Sequence, residues 1–168
     1  NNENCFLLKN DCIKFLGPRY SIIKKNNEKK FFTQTNKIFV FMGNVDNYDF
    51  TSKIILILKN KEFKKYKIEI MIGQKNLNKK NIISLTKNFK NFTIKFGNYK
   101  NLFSFFRGSS LVITNAGVTM YEHLSLGVKS LVISQSPLHR KILKNYKGTK
   151  LINYVNSISN LKKIDVLN

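Results

Sequence analysis

The chain has 168 residues, enough for one well-packed domain and short for two. With 42% hydrophobic residues it can build a core, it is not compositionally disordered, and no stretch approaches the ~20 apolar residues of a membrane helix. A formal charge of +21 invites a nucleic-acid reading, but among the 30 basic residues only Arg19, Arg107 and Arg140 carry the guanidinium fork that base and phosphate readers favour.

The lysines are scattered along the chain rather than gathered in one block, and Lys, Asn, Ile and Phe are over-used together. All four have A/T-rich codons, so a biased genome accounts for the charge and no specific nucleic-acid partner is expected. Cys5 and Cys12 are spaced neither as a redox pair nor as a metal knuckle, and with two histidines in the chain no metal site is expected. They read as reduced thiols of a cytoplasmic protein. There is no initiator Met and no signal peptide, and Asn1 reads as mid-domain, so a fragment of a longer protein is expected.

Residues 1–36 differ from the rest: Cys5–Leu8 is a short apolar run, Lys14–Tyr20 (KFLGPRY) a turn signal, and Asn26–Lys30 a polar linker or exposed turn. From there apolar strands and amphipathic segments alternate. Lys37–Gly43 (KIFVFMG) reads as a buried strand, and Asp49–Lys59 as a helix with Asp49 as N-cap. Lys67–Gly73 is a second strand, Leu77–Asn88 a helix, Phe92–Gly97 a third strand and Tyr99–Phe106 a helix. Ser110–Thr114 is a fourth strand, and the helix Val118–Leu126 is stopped by Gly127. Ser130–Ser134, a helix over Leu138–Tyr146, a short strand over Lys150–Val155 and a helical turn over Ile158–Lys163 complete the chain. This alternation predicts βαβ units: an α/β, doubly wound parallel sheet with ligands outside the carboxyl ends of its strands. Gly43, Gly97 and Gly117 fall on that rim, where they make tight turns or admit a ligand to the backbone.

The sharpest constellation is Thr114–Glu122, TNAGVTMYE, which follows a strand and opens a helix. Asn115, Ala116 and Gly117 are small or turn-tolerant and leave helix-start N–H groups free to point at an anion, and Thr119 can add a hydroxyl. Glu122 shares a helix face with Thr119, where a carboxylate can accept from the two hydroxyls of a ribose. The same spacing also fits an ordinary βα turn with a solvated Glu.

TNAGVTMYEHLSLGVKSLVIS (Thr114–Ser134) resembles the signature of the C-terminal domain in the MurG-like group of GT-B nucleotide-sugar enzymes. KFLGPRYSIIKK (Lys14–Lys25) and FVFMGNVDNYDFTSKIILIL (Phe39–Leu58) are similar to the PseG family of pseudaminic-pathway UDP-sugar hydrolases. The resemblance covers roughly residues 14–140. It implies that residues 37–168 are the nucleotide-sugar-binding, Rossmann-like C-terminal half of a GT-B architecture, and that 1–36 is a remnant or linker from a missing N-terminal domain.

The implied reaction is release of UDP from a UDP-linked diacetamido-trideoxy-hexose by water, with no metal or cofactor. The catalytic His would lie in the N-terminal domain of the same enzyme. A MurG-like glycosyltransferase is the alternative reading, and a basic nucleic-acid-binding module the alternative from another class. Implied UDP contacts are Gly43, Asn44, Gly97, Asn98, Leu102, Asn115, Ala116, Gly117, Val118, Thr119 and Glu122, with Asp46, His139 and Arg140 as further candidates. Leu102 is equally a core residue and Asp46 equally a turn residue. His123 is expected to face solvent or a partner.

Three departures stand out. The first loop has one glycine, not two, before its Asp. Asn115-Ala116-Gly117 replaces a more Gly-rich version. Where the family carries an Asn–Gln pair after the fifth strand, this chain reads Ser134-Gln135-Ser136-Pro137.

Overall fold

A strand covered by helices on both faces reads as a near-continuous apolar run, and Ile38–Phe41 of KIFVF is one. KIFVF forms β1 (Lys37–Phe41), buried from Ile38 onward. The computed structural model describes residues 13, 20, 21, 23, 35–97, 102–162, 165 and 166. Most of the proposed junction segment 1–36, with the KFLGPR motif, both cysteines and the 26–30 linker, lies outside the described residues, as does Asn98.

The other strands are β2 (Lys67–Ile72), β3 (Phe92–Phe96), β4 (Leu111–Asn115), β5 (Ser130–Ile133) and β6 (Ile152–Val155). All pairings are parallel, in the order β3-β2-β1-β4-β5-β6. The crossovers carry α1 (Phe50–Leu58), α2 (Lys79–Thr86), α3 (Phe103–Phe106), α4 (Val118–Ser125) and α5 (Pro137–Lys144). The α/β doubly wound expectation is met: six expected strands and five expected helices are present.

The pleat sorts the core. Ile38, Val40 and Met42 point to one face, where they pack with Phe50, Ile54 and Ile55 of α1 and Ile82 of α2. Phe39 and Phe41 point to the other and pack with Leu102 and Phe106. There the Phe39 ring stacks on Phe105 and meets Phe106 edge-on, at 5.5 and 5.7 Å between centroids. Ala116 and Met120, beside and within α4, pack with Val132 and with Leu143 of α5.

Element ends differ from expectation where side chains intervene. The second helix starts at Lys79 rather than Leu77, because buried Asn76 accepts from Asn78 N–H at 2.7 Å and turns the chain first. Gly127 ends α4 as expected: its N–H bonds Leu124 C=O and the next N–H bonds His123 C=O, a Schellman closure. The fifth helix starts at Pro137, whose missing N–H costs nothing in a first turn, and Ser136 caps it by accepting from His139 N–H.

Asp49 is not the functional cap of α1. It holds the N-cap position but makes no side-chain cap bond. Asp46, three residues earlier, is the cap: one oxygen accepts from Phe50 N–H at 2.9 Å, the other from Thr51 N–H at 2.9 Å and Thr51 Oγ at 2.6 Å. Both aspartates have positive φ (49° and 50°), and this brings the earlier carboxylate back over the helix start.

Asparagine keeps the left-handed backbone tolerable and replaces one acceptor oxygen with a donor. Asp46→Asn should therefore lower stability by about 1–2 kcal/mol in urea unfolding, whereas Asp49→Asn should change it by less than about 0.5 kcal/mol.

Candidate functional site

The strand order reverses between β1 and β4, so the loops that follow them diverge to opposite faces and leave a crevice at their carboxyl ends. Asn115, the last residue of β4, spans it. Its Nδ2 donates to Met42 C=O at 3.2 Å, beyond β1, and to Gln135 Oε1 at 3.0 Å, beyond β5. Two glycines make room for this side chain. A Cβ at Gly43, which has φ +95°, would stand 3.2 Å from Asn115 Nδ2, and one at Gly117 would stand 3.0 Å from its Oδ1. Both amide hydrogens of Asn115 are thus committed to the framework.

The start of α4 lies on this bolt. Ala116 is buried in the core, and Gly117 is an extended N-cap residue with no side-chain cap bond. Asp46 caps α1 and Ser136 caps α5, but among the described residues no side chain caps the first N–H groups of α4, the donors an anion could use. Val118 is 61% exposed at the mouth, and Thr119 is half-buried behind it. Glu122 follows one turn later. Its half-buried carboxyl takes no hydrogen bond among the described residues, and desolvation pushes its pKa above the usual carboxylate range.

Gln135 borders the crevice, and sequence reasoning left it unassigned. With its Oε1 held by Asn115, its Nε2 is a buried donor without a partner among the described residues. His139 fixes the same loop. Its Nδ1 accepts from Gln135 N–H at 3.2 Å, so the ring is neutral with its proton on Nε2, and burial lowers its pKa. Arg140 is exposed beside it.

The other expected site residues have different surroundings. Asp46 has both carboxylate oxygens in the α1 cap, which leaves it a turn residue. Leu102 is 6% exposed within the Phe39–Phe106 cluster, which makes it a core residue with little surface to offer a base. Asn44 lies on the β1 loop and accepts weakly from Lys75 N–H at 3.4 Å. Gly97 ends the edge strand β3, with β2 between it and β1, beside a recess of about 160 Å³ lined also by Phe96, Gly73 and Lys79.

His123 overturns the expectation of a solvent- or partner-facing ring: it is 0% exposed. Met120 and His123 are three apart, and α4 buries that face. Nδ1–H donates to Thr119 C=O at 2.8 Å, and the ring meets Phe106 edge-on at 5.7 Å. Nε2 is then a buried acceptor with no partner among the described residues, and burial pulls the pKa down to about 4.

No family model matches the chain. It is 27% identical over 155 residues to the uncharacterized protein MJ1062 of Methanocaldococcus jannaschii, a match over 86% of this chain and 32% of that protein. Among solved structures, the glycotransferase of kitacinnamycin superposes with a TM-score of 0.61 at 12% identity, over 86% of this chain and 37% of that one. The glycosyltransferase SnogD from Streptomyces nogalater gives 0.55 at 15% identity, over 88% and 36%. The chain thus spans about a third of the length of each of these three proteins. It has the Rossmann-like fold of a GT-B glycosyltransferase half.

The buried ring links stability to pH. Between about 4 and 6.5 His123 is neutral in the native state and protonated in the unfolded chain, so its contribution is complete above pH 6.5 and is lost as pH falls toward 4. The loss has an upper bound of about 3 kcal/mol. Urea unfolding at pH 7.5, 6 and 5 should show wild type weakening more steeply than His123→Gln, which has nothing to protonate there; parallel profiles would show that the ring is not held neutral.

Proposed function

We propose that this chain is the nucleotide-sugar-binding half of a UDP-sugar enzyme. The observation that carries the reading is the start of α4 at the strand-order reversal, with no side-chain cap and with Glu122 unpaired on the next turn among the described residues. The α4 N–H groups and Thr119 hold the diphosphate, and Glu122 accepts from the two ribose hydroxyls. Gln135 Nε2 adds a donor at the same mouth.

The activity we propose is hydrolysis of a UDP-linked diacetamido-trideoxy-hexose of the pseudaminic pathway. The resemblance of the KFLGPRY and FVFMGNVD segments to that family supports it. Water attacks the anomeric carbon, UDP leaves, and the base that takes the water's proton belongs to an N-terminal domain of the same enzyme. Transfer to another acceptor is the second reading, favoured by the glycosyltransferases that share the fold.

A second domain also suits the rim itself. Val45 and Tyr48 follow β1, Leu77 follows β2, Phe96 closes β3 and Val118 follows β4; all are apolar and exposed, Phe96 by 60%. A run of exposed apolar side chains along one rim marks a surface that is covered in the working protein.

UDP should raise the melting temperature of this chain more than ADP or GDP does. Glu122→Gln should weaken UDP binding by roughly 10- to 100-fold in calorimetric titration, with little change in stability. For 2′,3′-dideoxy-UDP, which lacks the hydroxyls, the substitution should change almost nothing. An equal loss for both ligands, or none for UDP, would remove the ribose assignment.

A further inference from the structure

A parallel sheet sends every helix-to-strand junction to the edge opposite the ligand rim. Lysines that are scattered in sequence are therefore collected in space. The α1–β2 junction carries Lys59, Lys61, Lys64, Lys65 and Lys67. The α2–β3 junction adds Lys87 and Lys90, and the α3–β4 junction adds Arg107. Lys129 enters β5, and Lys147 and Lys150 enter β6. Acidic groups there are few. Glu69 lies between Lys37 and Lys67 at 3.4 and 3.6 Å, and the α1–β2 junction sets one carboxylate, Glu62, against its five lysines.

Helix ends do not account for this. Each carboxyl terminus carries about half a negative charge, enough to favour one cation per helix. The α1–β2 junction alone has five, and Lys61, Lys64 and Lys90 are exposed and make no side-chain hydrogen bond or ion pair among the described residues. The same edge holds an open recess of about 430 Å³ lined by Lys37, Lys65, Lys67 and Thr35. The ligand rim differs: Asp46, Asp49 and Glu122 sit there among fewer cations.

We propose that this edge docks the protein on an anionic membrane surface, with the α4 mouth turned away from the bilayer. The edge is broad, formed by the ends of all six strands. Its cations are almost all ammonium point charges, which suit a diffuse layer of headgroups, whereas nucleic-acid readers use Arg forks and exposed aromatic platforms. The aromatic rings on this edge are not such platforms: Tyr66 and Phe89 pack against neighbouring rings and lie under Lys65 and Lys59. No helix among the described residues is long and apolar enough to cross a membrane, so attachment would be electrostatic and peripheral.

The test is co-sedimentation of the full chain with vesicles of phosphatidylglycerol and phosphatidylcholine, against pure phosphatidylcholine. Binding to the anionic vesicles alone is expected, weakening by about tenfold or more as salt shortens the Debye length from about 10 to about 5 Å. Two triple variants separate an oriented surface from net charge. Replacing Lys61, Lys64 and Lys90 with Gln should reduce binding at least about tenfold; replacing Lys75, Lys80 and Lys95, near the ligand rim, should reduce it less than about threefold. Equal losses would leave net charge alone and overturn the docking edge, as would no binding. Tighter binding to duplex DNA or RNA than to vesicles at about 0.15 M salt would overturn the membrane and make nucleic acid the partner. UDP stabilisation should persist in both triple variants, so this proposal and the nucleotide site fail separately.

Discussion

The candidate site depends on one side chain being in register across three strands. Asn115 bonds the chain beyond β1 through Met42 C=O and the chain beyond β5 through Gln135. Because Nδ2 has two hydrogens and both are used, the three loop bases are fixed relative to one another, and Gly43 and Gly117 are the small residues that allow the fit. Helix α4 starts three residues later, so its first N–H groups are presented from a rigid base. His123 reinforces that turn from behind by donating to Thr119 C=O. A binding surface made of backbone donors needs such support, since its geometry is no better than the loops that carry it.

The sheet was legible in the sequence because both its faces are covered. KIFVF, KIEIMI and SLVI are predominantly apolar runs of strand length bounded by polar or Gly-bearing turns, and the strands formed within a few residues of those bounds. The end of α4 was legible for the same local reason, a glycine where the helix must turn. What was not legible depended on contacts between segments. Nothing near Asp46 announces that it, rather than Asp49, reaches the α1 N–H groups; that follows from two successive left-handed turns. Leu102 carries no mark that separates a base platform from a core residue until Phe39 and Phe106 close around it. His123 did carry a signal, its spacing from Met120, which places both on the buried face of a short helix. Gln135 carried none, because its orientation is set by Asn115, twenty residues away in sequence.

Charge gives the same lesson at larger scale. One or more basic residues at each helix-to-strand junction look like dispersion along the chain, yet a parallel sheet gathers them on one edge and leaves the acidic Asp46, Asp49 and Glu122 on the other. The two edges are then chemically distinct: one broad and cationic, the other lined with helix-start N–H groups and exposed apolar side chains. Separation of this kind lets one surface be attached while the other remains open to a small ligand and a second domain.

The central claim is that a nucleoside diphosphate sits at the start of α4. Amide chemical shifts of the ¹⁵N-labelled chain, followed through a titration with UDP, test it directly. The largest changes should fall on Gly117, Val118 and Thr119, with smaller ones at Gly43, Asn44 and Gln135 around the same crevice. Perturbations confined to the lysine-bearing edge, or spread evenly over the surface, would contradict the account.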